Sequence, residues 1–176
     1  RNAAIDYPVW MKLPKEQLND QDIITSELGV VNFASPGNIT ITETEGVTVT
    51  PLINTTDKAT QIDTARLSLM ADPQDLLRNY KPSGESYVLA ARITGKAKSA
   101  FADGAPKTEK SAEKDESVKF TEHLTEAKGE INVIVIADTD VLEDRFWVRF
   151  QDMMGTRIAM PIAANGSLVI NALDNL

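Results

Sequence analysis

The apolar and polar positions of the chain alternate between stretches typical of strands and stretches typical of short helices. Strands are predicted at residues 39–42 and 47–53, and the four-residue loop 43–46 would join them as a hairpin. Two more strands are predicted at residues 65–69, where apolar and polar side chains alternate, and at residues 87–93. We expect these strands to belong to one mixed sheet.

Helix signals lie between and after these strands. A short helix is predicted at residues 19–29, which begin with Asn and Asp and end with Gly. Asp72 and Pro73 form a strong helix start, because a capping carboxylate precedes a proline at the first helical position. Asn165 is predicted to cap a final helix, whereas residues 146–154 fit a strand and a helix equally well.

One β-branched run decides the predicted fold class. Ile131–Ile136 is a nearly continuous β-branched segment, which is typical of a central, usually parallel strand that helices cover on both faces. We therefore predict an α/β fold: a mixed, mostly parallel sheet flanked by helices, with a β-hairpin and a long charged loop. That loop is residues 96–119, where eleven of 24 residues are charged. Because it offers little apolar surface to bury, we expect it to be mobile.

Composition excludes several classes of function. The chain has 176 residues, which suits a single domain, and it contains no cysteine and one histidine. Disulfides, cysteine nucleophiles and thiolate metal sites are therefore excluded. The net charge of −8 argues against a broad nucleic-acid surface. The chain begins at Arg1 without a methionine and stops within a predicted amphipathic helix, so we expect a fragment of a longer polypeptide.

The sharpest local motif is Asp138-Thr139-Asp140, which directly follows the predicted central strand. Ligands of open α/β sheets bind at the carboxyl ends of strands, and two carboxylates at this spacing could hold Mg²⁺ through oxygen. The motif is similar to the first motif of haloacid-dehalogenase-type phosphatases and to the Asp-x-Asp of nucleotide-sugar transferases. In the alternative interpretation, Asp140 caps the next segment and Asp138 accepts hydrogen bonds from backbone amides.

The other candidate residues do not form a catalytic set. His123 stands next to the charged loop, and the sequence has no Gly-x-Ser-x-Gly elbow that could supply a nucleophile for it. Both standard glycine-rich phosphate loops are missing from the sequence. Two aromatic pairs, Tyr7 with Trp10 and Phe146 with Trp147, are predicted to anchor the core. We therefore predict no catalytic residue, no resident metal and no cofactor.

Several blocks resemble the extracytoplasmic region of the gliding-motility-associated ABC transport auxiliary proteins. The resemblance spans nearly the whole chain, and it is specific through the combination of its motifs. The blocks are Tyr7-Pro8-Val9-Trp10, Gly46-Val47-Thr48-Val49-Thr50-Pro51-Leu52-Ile53, Leu89-Ala90-Ala91-Arg92-Ile93-Thr94-Gly95, Lys98-Ser99-Ala100-Phe101, Ile131 through Asp140, Asn165-Gly166 and Asn171 through Leu176.

This resemblance implies a location, a set of partners and a fold. Proteins of this type are anchored in the bacterial inner membrane, carry a large periplasmic domain and are encoded with an ABC ATPase and a permease. The implied fold is of the flavodoxin or glutamine-amidotransferase-like type, and residues 1–176 would be a single extracytoplasmic domain or the C-terminal half of one. Because no catalytic residues are established for the family, none is transferred to this chain.

The leading hypothesis is a non-enzymatic periplasmic domain that contacts an ABC transporter permease or another membrane subunit, or captures a transported ligand. The alternative from another class is a metal-dependent hydrolase or transferase that uses Asp138 and Asp140. A third interpretation is a small-ligand binding module, which needs an apolar pocket with a few convergent polar groups.

Overall fold

The computed structural model describes residues 7–67, 72–104 and 123–176. Within these ranges the strands form three separate antiparallel sheets, with strand orders β1-β2, β3-β4-β5 and β6-β7. The strands are β1 (Trp10–Leu13), β2 (Val31–Ala34), β3 (Val47–Asn54), β4 (Val88–Gly95), β5 (Ile131–Ile136), β6 (Val148–Met153) and β7 (Thr156–Pro161). The helices are α1 (Pro73–Arg78), α2 (Asp144–Trp147) and α3 (Asn165–Asp174), with 3₁₀ turns at Lys15–Gln17 and Thr64–Leu67.

The predicted fold class, a mostly parallel flavodoxin-like or glutamine-amidotransferase-like α/β sheet, is wrong. The run that suggested it, β5, is an edge strand that pairs antiparallel with β4. Ile134 and Ile136 pack against the core, whereas Val133 and Val135 are 42% and 37% exposed. The continuous β-branched pattern therefore reflects one buried face and one apolar outer face, and not burial on both sides.

Three of the predicted local elements are also wrong. Residues 64–67 form a 3₁₀ turn in place of a strand, and residues 68–71 lie outside the described part. Residues 39–42 do not pair with residues 47–53 as the predicted hairpin requires. Ile39 forms an isolated antiparallel β-bridge with Val88, and Val47 forms one with Thr44. In place of the helix predicted at residues 19–29, residues 20–27 form successive turns, and the hydroxyl of Thr25 donates to the carbonyl of Asn19 at 2.7 Å. Such side-chain bonds to the backbone compete with helical hydrogen bonds.

Other predictions from sequence are confirmed. Helix α1 starts at Pro73, and the Asp72 carboxylate accepts the amide of Gln74 at 2.9 Å. Strand β3 contains the segment predicted at residues 47–53, and β4 contains all of the segment predicted at residues 87–93 except Tyr87. Most of the charged loop, residues 105–119, lies outside the described residues, so its predicted mobility stays a prediction.

One core lies between the β1-β2 sheet, the inner face of the three-stranded sheet and helix α3. Its largest fully buried apolar side chains are Phe33, Ile24, Leu52, Ile53 and Leu168. No helix in the described ranges is both long and apolar enough to span a membrane. The buried cluster consists of Leu13, Leu18, Ile24, Leu28, Val31, Phe33, Leu52, Ile53, Leu89, Ala90, Leu168 and Ala172.

Side chains, in place of a further strand, complete the hydrogen bonding of the β2 edge that faces away from β1. The amide of Asn32 donates to Asn165 Oδ1 at 3.0 Å, and Asn165 Nδ2 donates to the carbonyls of Asn32 and Val141 at 2.7 and 2.8 Å. Asn165 is fully buried, so these bonds offset the cost of taking its amide out of water. The predicted capping role is wrong, because Ala164 is the N-cap of α3 and Asn165 bonds to β2.

A half-buried ion pair joins the turns after residue 19 to the three-stranded sheet. The Arg92 guanidinium donates to both carboxylate oxygens of Asp22 at 2.8 Å, and the amide of Ile24 donates to the same carboxylate. Burial by itself would raise the pKa of Asp22. The hydrogen bond and charge of Arg92, together with the Ile24 amide, outweigh burial and lower that pKa below its usual 3.8.

We expect Asp22→Asn to lower the free energy of unfolding by about 1.5–3 kcal/mol, because Arg92 loses a charged acceptor. A carboxyl with a lowered folded-state pKa stabilises the fold above its unfolded pKa, and this contribution disappears as the pH falls through the folded-state value. Urea unfolding of both proteins at neutral and at acidic pH measures the difference. The exposed Asp20→Asn is the control, and an equal loss in the two variants would contradict this role for the pair.

Candidate functional site

The acidic motif lies at the end of β5, and its first carboxylate is used to hold the backbone. Asp138 is buried, its Oδ2 accepts the amide of Ala34 at 2.6 Å, and its Oδ1 accepts the amide of Asp140 at 2.8 Å. The first of these bonds lies on the same edge of β2 that Asn165 completes. Both oxygens of Asp138 therefore have backbone partners.

Asp140 is exposed, and its side chain does not converge with Asp138 on a cleft found here. Its carbonyl oxygen, and not its carboxylate, accepts the amide of Glu143 at 2.9 Å. In the described ranges no three His, Asp or Glu side chains lie close enough together to hold a metal ion. The carboxylate of Asp138 therefore holds the backbone of Ala34 and of Asp140 in place, and we call this pair of hydrogen bonds the clamp.

Burial is the main influence on the ionisation of Asp138. Removal from water raises the pKa of this carboxyl, the amides of Ala34 and Asp140 oppose that rise, and the charge of Asp140 adds to it. A buried carboxyl with a raised pKa is a feature of many active sites, but it also occurs where a carboxylate holds a turn. The two backbone bonds favour the second explanation here.

The remaining sequence candidates lie apart from this turn. The ring of His123 is exposed and hydrogen-bonds through Nε2 to the carbonyl of Phe101. Trp10 packs edge-on against both Tyr7 and Phe146, at centroid distances of 5.3 and 5.1 Å, although Trp10 itself is half exposed. These aromatic residues thus join β1 to α2 at the surface more than they fill the core.

A cleft of about 560 Å³ opens beside the β1-β2 sheet. Its volume falls within the range of about 300–1,000 Å³ that is typical of small-molecule sites. One wall comes from residues 8–13, a second from residues 35–38, and a third from residues 55–67. Gln17, Tyr80, Tyr87 and Leu89 complete the lining.

A second feature is a β-hairpin near the C-terminal end of the chain, formed by β6, β7 and their turn, which we call the C-terminal hairpin (residues 148–161). From Arg149 onward every one of its residues is exposed, on both faces of the ribbon. Met154 and Gly155 form its two-residue turn with φ angles of 50° and 82°, as a type I′ hairpin turn requires. The exposed large apolar side chains on it are Phe150, Met153, Met154, Ile158 and Met160.

The base of the C-terminal hairpin is fixed to the body. The amide of Ile162 donates to the carbonyl of Trp147 at 2.7 Å. The Trp147 ring lies against Gly166, where an added Cβ would come within 2.9 Å of the ring. Packing therefore explains the glycine at position 166, since a larger residue would displace the Trp147 ring at the base of the C-terminal hairpin.

Sequence reasoning missed both features. Residues 146–154 are ambiguous in sequence because α2 and β6 follow each other without a break. The Met154-Gly155 turn between two β-compatible segments was the available signal for the C-terminal hairpin. The cleft has no such signal, since its third wall comes from a polar stretch that forms no regular strand.

Comparison with known proteins gives one finding. A family model described as "ABC-type uncharacterized transport system" matches residues 1–172. No curated protein and no solved structure matches the chain.

We expect Asp138→Asn to destabilise the fold by about 1–3 kcal/mol, because an NH₂ group replaces an oxygen that accepts a backbone amide. Since the pKa of Asp138 is raised, its deprotonation also lowers wild-type stability as the pH rises through the folded-state value, and the Asn variant lacks this slope. Denaturant unfolding across acidic pH checks both effects. The exposed Asp140→Asn should stay within about 0.5 kcal/mol, and equal losses in the two variants would contradict the clamp.

We also expect Mg²⁺, Ca²⁺ and Mn²⁺ to leave the midpoint of thermal unfolding unchanged, because the Asp138 oxygens already accept backbone amides. A bound ion at a hundredfold excess over its Kd would stabilise the folded chain by about 2.7 kcal/mol, which a melting curve readily detects. If the ions raise the unfolding midpoint of the wild type but not that of Asp138→Asn, the result would support the alternative hypothesis of a metal-dependent hydrolase or transferase.

Proposed function

Because this chain belongs to the family described as "ABC-type uncharacterized transport system", we propose that it is a binding domain of an auxiliary component of such a system. In this proposal the domain lies in the periplasm, is anchored to the inner membrane by other parts of the full-length protein, and contacts the permease or another membrane subunit. It has the same placement as in the gliding-motility-associated proteins that its sequence resembles. It acts by binding and not by catalysis.

The observation that favours contact with a protein partner is the C-terminal hairpin. An isolated two-stranded ribbon is only marginally stable in water, and this one exposes apolar side chains on both faces. A contiguous exposed apolar patch on a folded domain usually marks an interaction site. Three of the five methionines of the chain lie on this ribbon, and flexible methionine side chains adapt to the surfaces of partner proteins.

The acidic motif supports a binding role in a different way. Asp138 uses both carboxylate oxygens to hold the backbone of β2 and of its own turn. Asp140 remains exposed beside it, and the exposed His123 bonds to the backbone of Phe101 elsewhere. These contacts favour the leading, non-enzymatic hypothesis over the alternative of a metal-dependent hydrolase or transferase that uses Asp138 and Asp140.

We expect Met154→Asn with Ile158→Thr, introduced into the full-length protein, to reduce copurification with the membrane subunits of its transport system at least tenfold. Asn tolerates the positive φ at position 154 and Thr keeps the strand propensity at position 158, so the fold should remain intact.

The matched control is Ile23→Thr with Leu142→Asn, which removes two exposed apolar side chains outside the C-terminal hairpin. This control should copurify like the wild type. Equal recovery of the hairpin variant and the wild type would overturn the proposed contact, and equal loss in both variants would show that exposed apolar area alone governs recovery.

A further inference from the structure

We propose that the cleft beside the β1-β2 sheet binds a small amphiphilic anion, with an apolar body and one acidic head group. The inference rests on the ligand-capture part of the proposed function and names the chemical class of the ligand. It does not depend on the C-terminal hairpin, which no lining residue of the cleft belongs to.

The apolar part of the ligand follows from the walls. Val9, Leu13 and Leu89 line the cleft as buried side chains, and Ile62 and Leu67 line it half-buried. An apolar chain in contact with these walls would be removed from water, which is favourable in proportion to the area covered. The volume of about 560 Å³ is sufficient for a ligand of lipid-like or drug-like size.

The acidic head group follows from the charges at the cleft. Lys12 and Lys58 are exposed lining residues, and no carboxylate occurs among the described lining residues of this acidic chain. Asp57 precedes Lys58 in sequence and Asp63 follows it by five positions, but neither aspartate lines the cleft. The Asp63 carboxylate accepts the amide of Ala65 at 2.9 Å. Neither lysine pairs with a carboxylate of the described ranges.

Three polar side chains of the cleft are already engaged in hydrogen bonds within the protein. The Tyr80 hydroxyl donates to the carbonyl of Lys58, and Gln61 Nε2 donates to Asn38 Oδ1 at 2.9 Å. The Thr55 hydroxyl accepts the amide of Tyr87 at 2.9 Å. Lys12 and Lys58 are the cationic side chains among the described lining residues, so they are the donors that would select an acidic head group.

The test is calorimetric titration of the 176-residue chain with dodecanoate, dodecylammonium and acetate, each alkyl probe below its micelle-forming concentration. Dodecanoate should bind at least tenfold more tightly than dodecylammonium, and acetate should show no measurable binding because it lacks the apolar body. Added salt should weaken dodecanoate binding, since the lysines are exposed and their charge is screened.

Two variants assign the binding to this cleft. Lys12→Gln with Lys58→Gln should weaken dodecanoate binding about tenfold or more. The loss of one exposed charge changes the affinity by up to about fivefold, and the double variant loses two. The control, Lys96→Gln with Lys128→Gln, makes the same change of net charge at exposed lysines that do not line the cleft. Thr60→Glu places one carboxylate beside the two lysines and should reduce the preference for dodecanoate over dodecylammonium.

Three results would overturn the inference. These are no binding of dodecanoate, equal affinity for the two alkyl probes, or an equal effect of the cleft and control lysine variants. Circular dichroism and thermal unfolding of each variant separate loss of binding from loss of fold. If dodecanoate does not bind but the hairpin variant loses copurification as expected, only the proposed protein contact is supported. If dodecanoate binds as expected but the hairpin variant copurifies like the wild type, the domain binds a ligand without that protein contact.

Discussion

The fold depends on how the outer edge of β2 is completed. A strand needs a partner for the amides and carbonyls that point away from its neighbour, and here two distant side chains provide one. Asn165 bonds to both backbone groups of Asn32, and Asp138 accepts the amide of Ala34. These bonds bring the start of α3 and the end of β5 against the same strand. The β1-β2 sheet, the three-stranded sheet and α3 can then enclose one core.

This constraint also positions the two surfaces that matter for binding. Strand β1 pairs with the completed β2, and the residues leading into β1 form one wall of the cleft. In the same arrangement Gly166, in the first turn of α3, lies against Trp147, which immediately precedes the C-terminal hairpin. The cleft and the C-terminal hairpin are therefore separate surfaces, each fixed by contacts to the same small framework.

The elements predicted well from sequence are those specified by neighbouring residues. Asp72 with Pro73 determines the start of α1 locally, and the β-branched run of β3 forms the strand that its own residues predict. The role of β5 could not be deduced, because an apolar run is compatible both with a central strand and with an edge strand that leaves Val133 and Val135 exposed. The role of Asp138 was left open for a related reason: its partner Ala34 lies 104 positions away. The family itself was recognisable, since its blocks are spread along nearly the whole chain.

The long sequence separation of the bonds on β2 has a consequence for biosynthesis. Asn32 and Asn165 lie 133 positions apart, so a chain made from its N-terminal end synthesises β2 long before the side chain that completes it. Until then the outer edge of β2 is a row of unpaired backbone groups, which is open to pairing with other chains. Contacts at such separations also slow folding, because a long loop must close before they form. The nascent domain therefore reaches its final topology only after helix α3, which contains Asn165, has been synthesised.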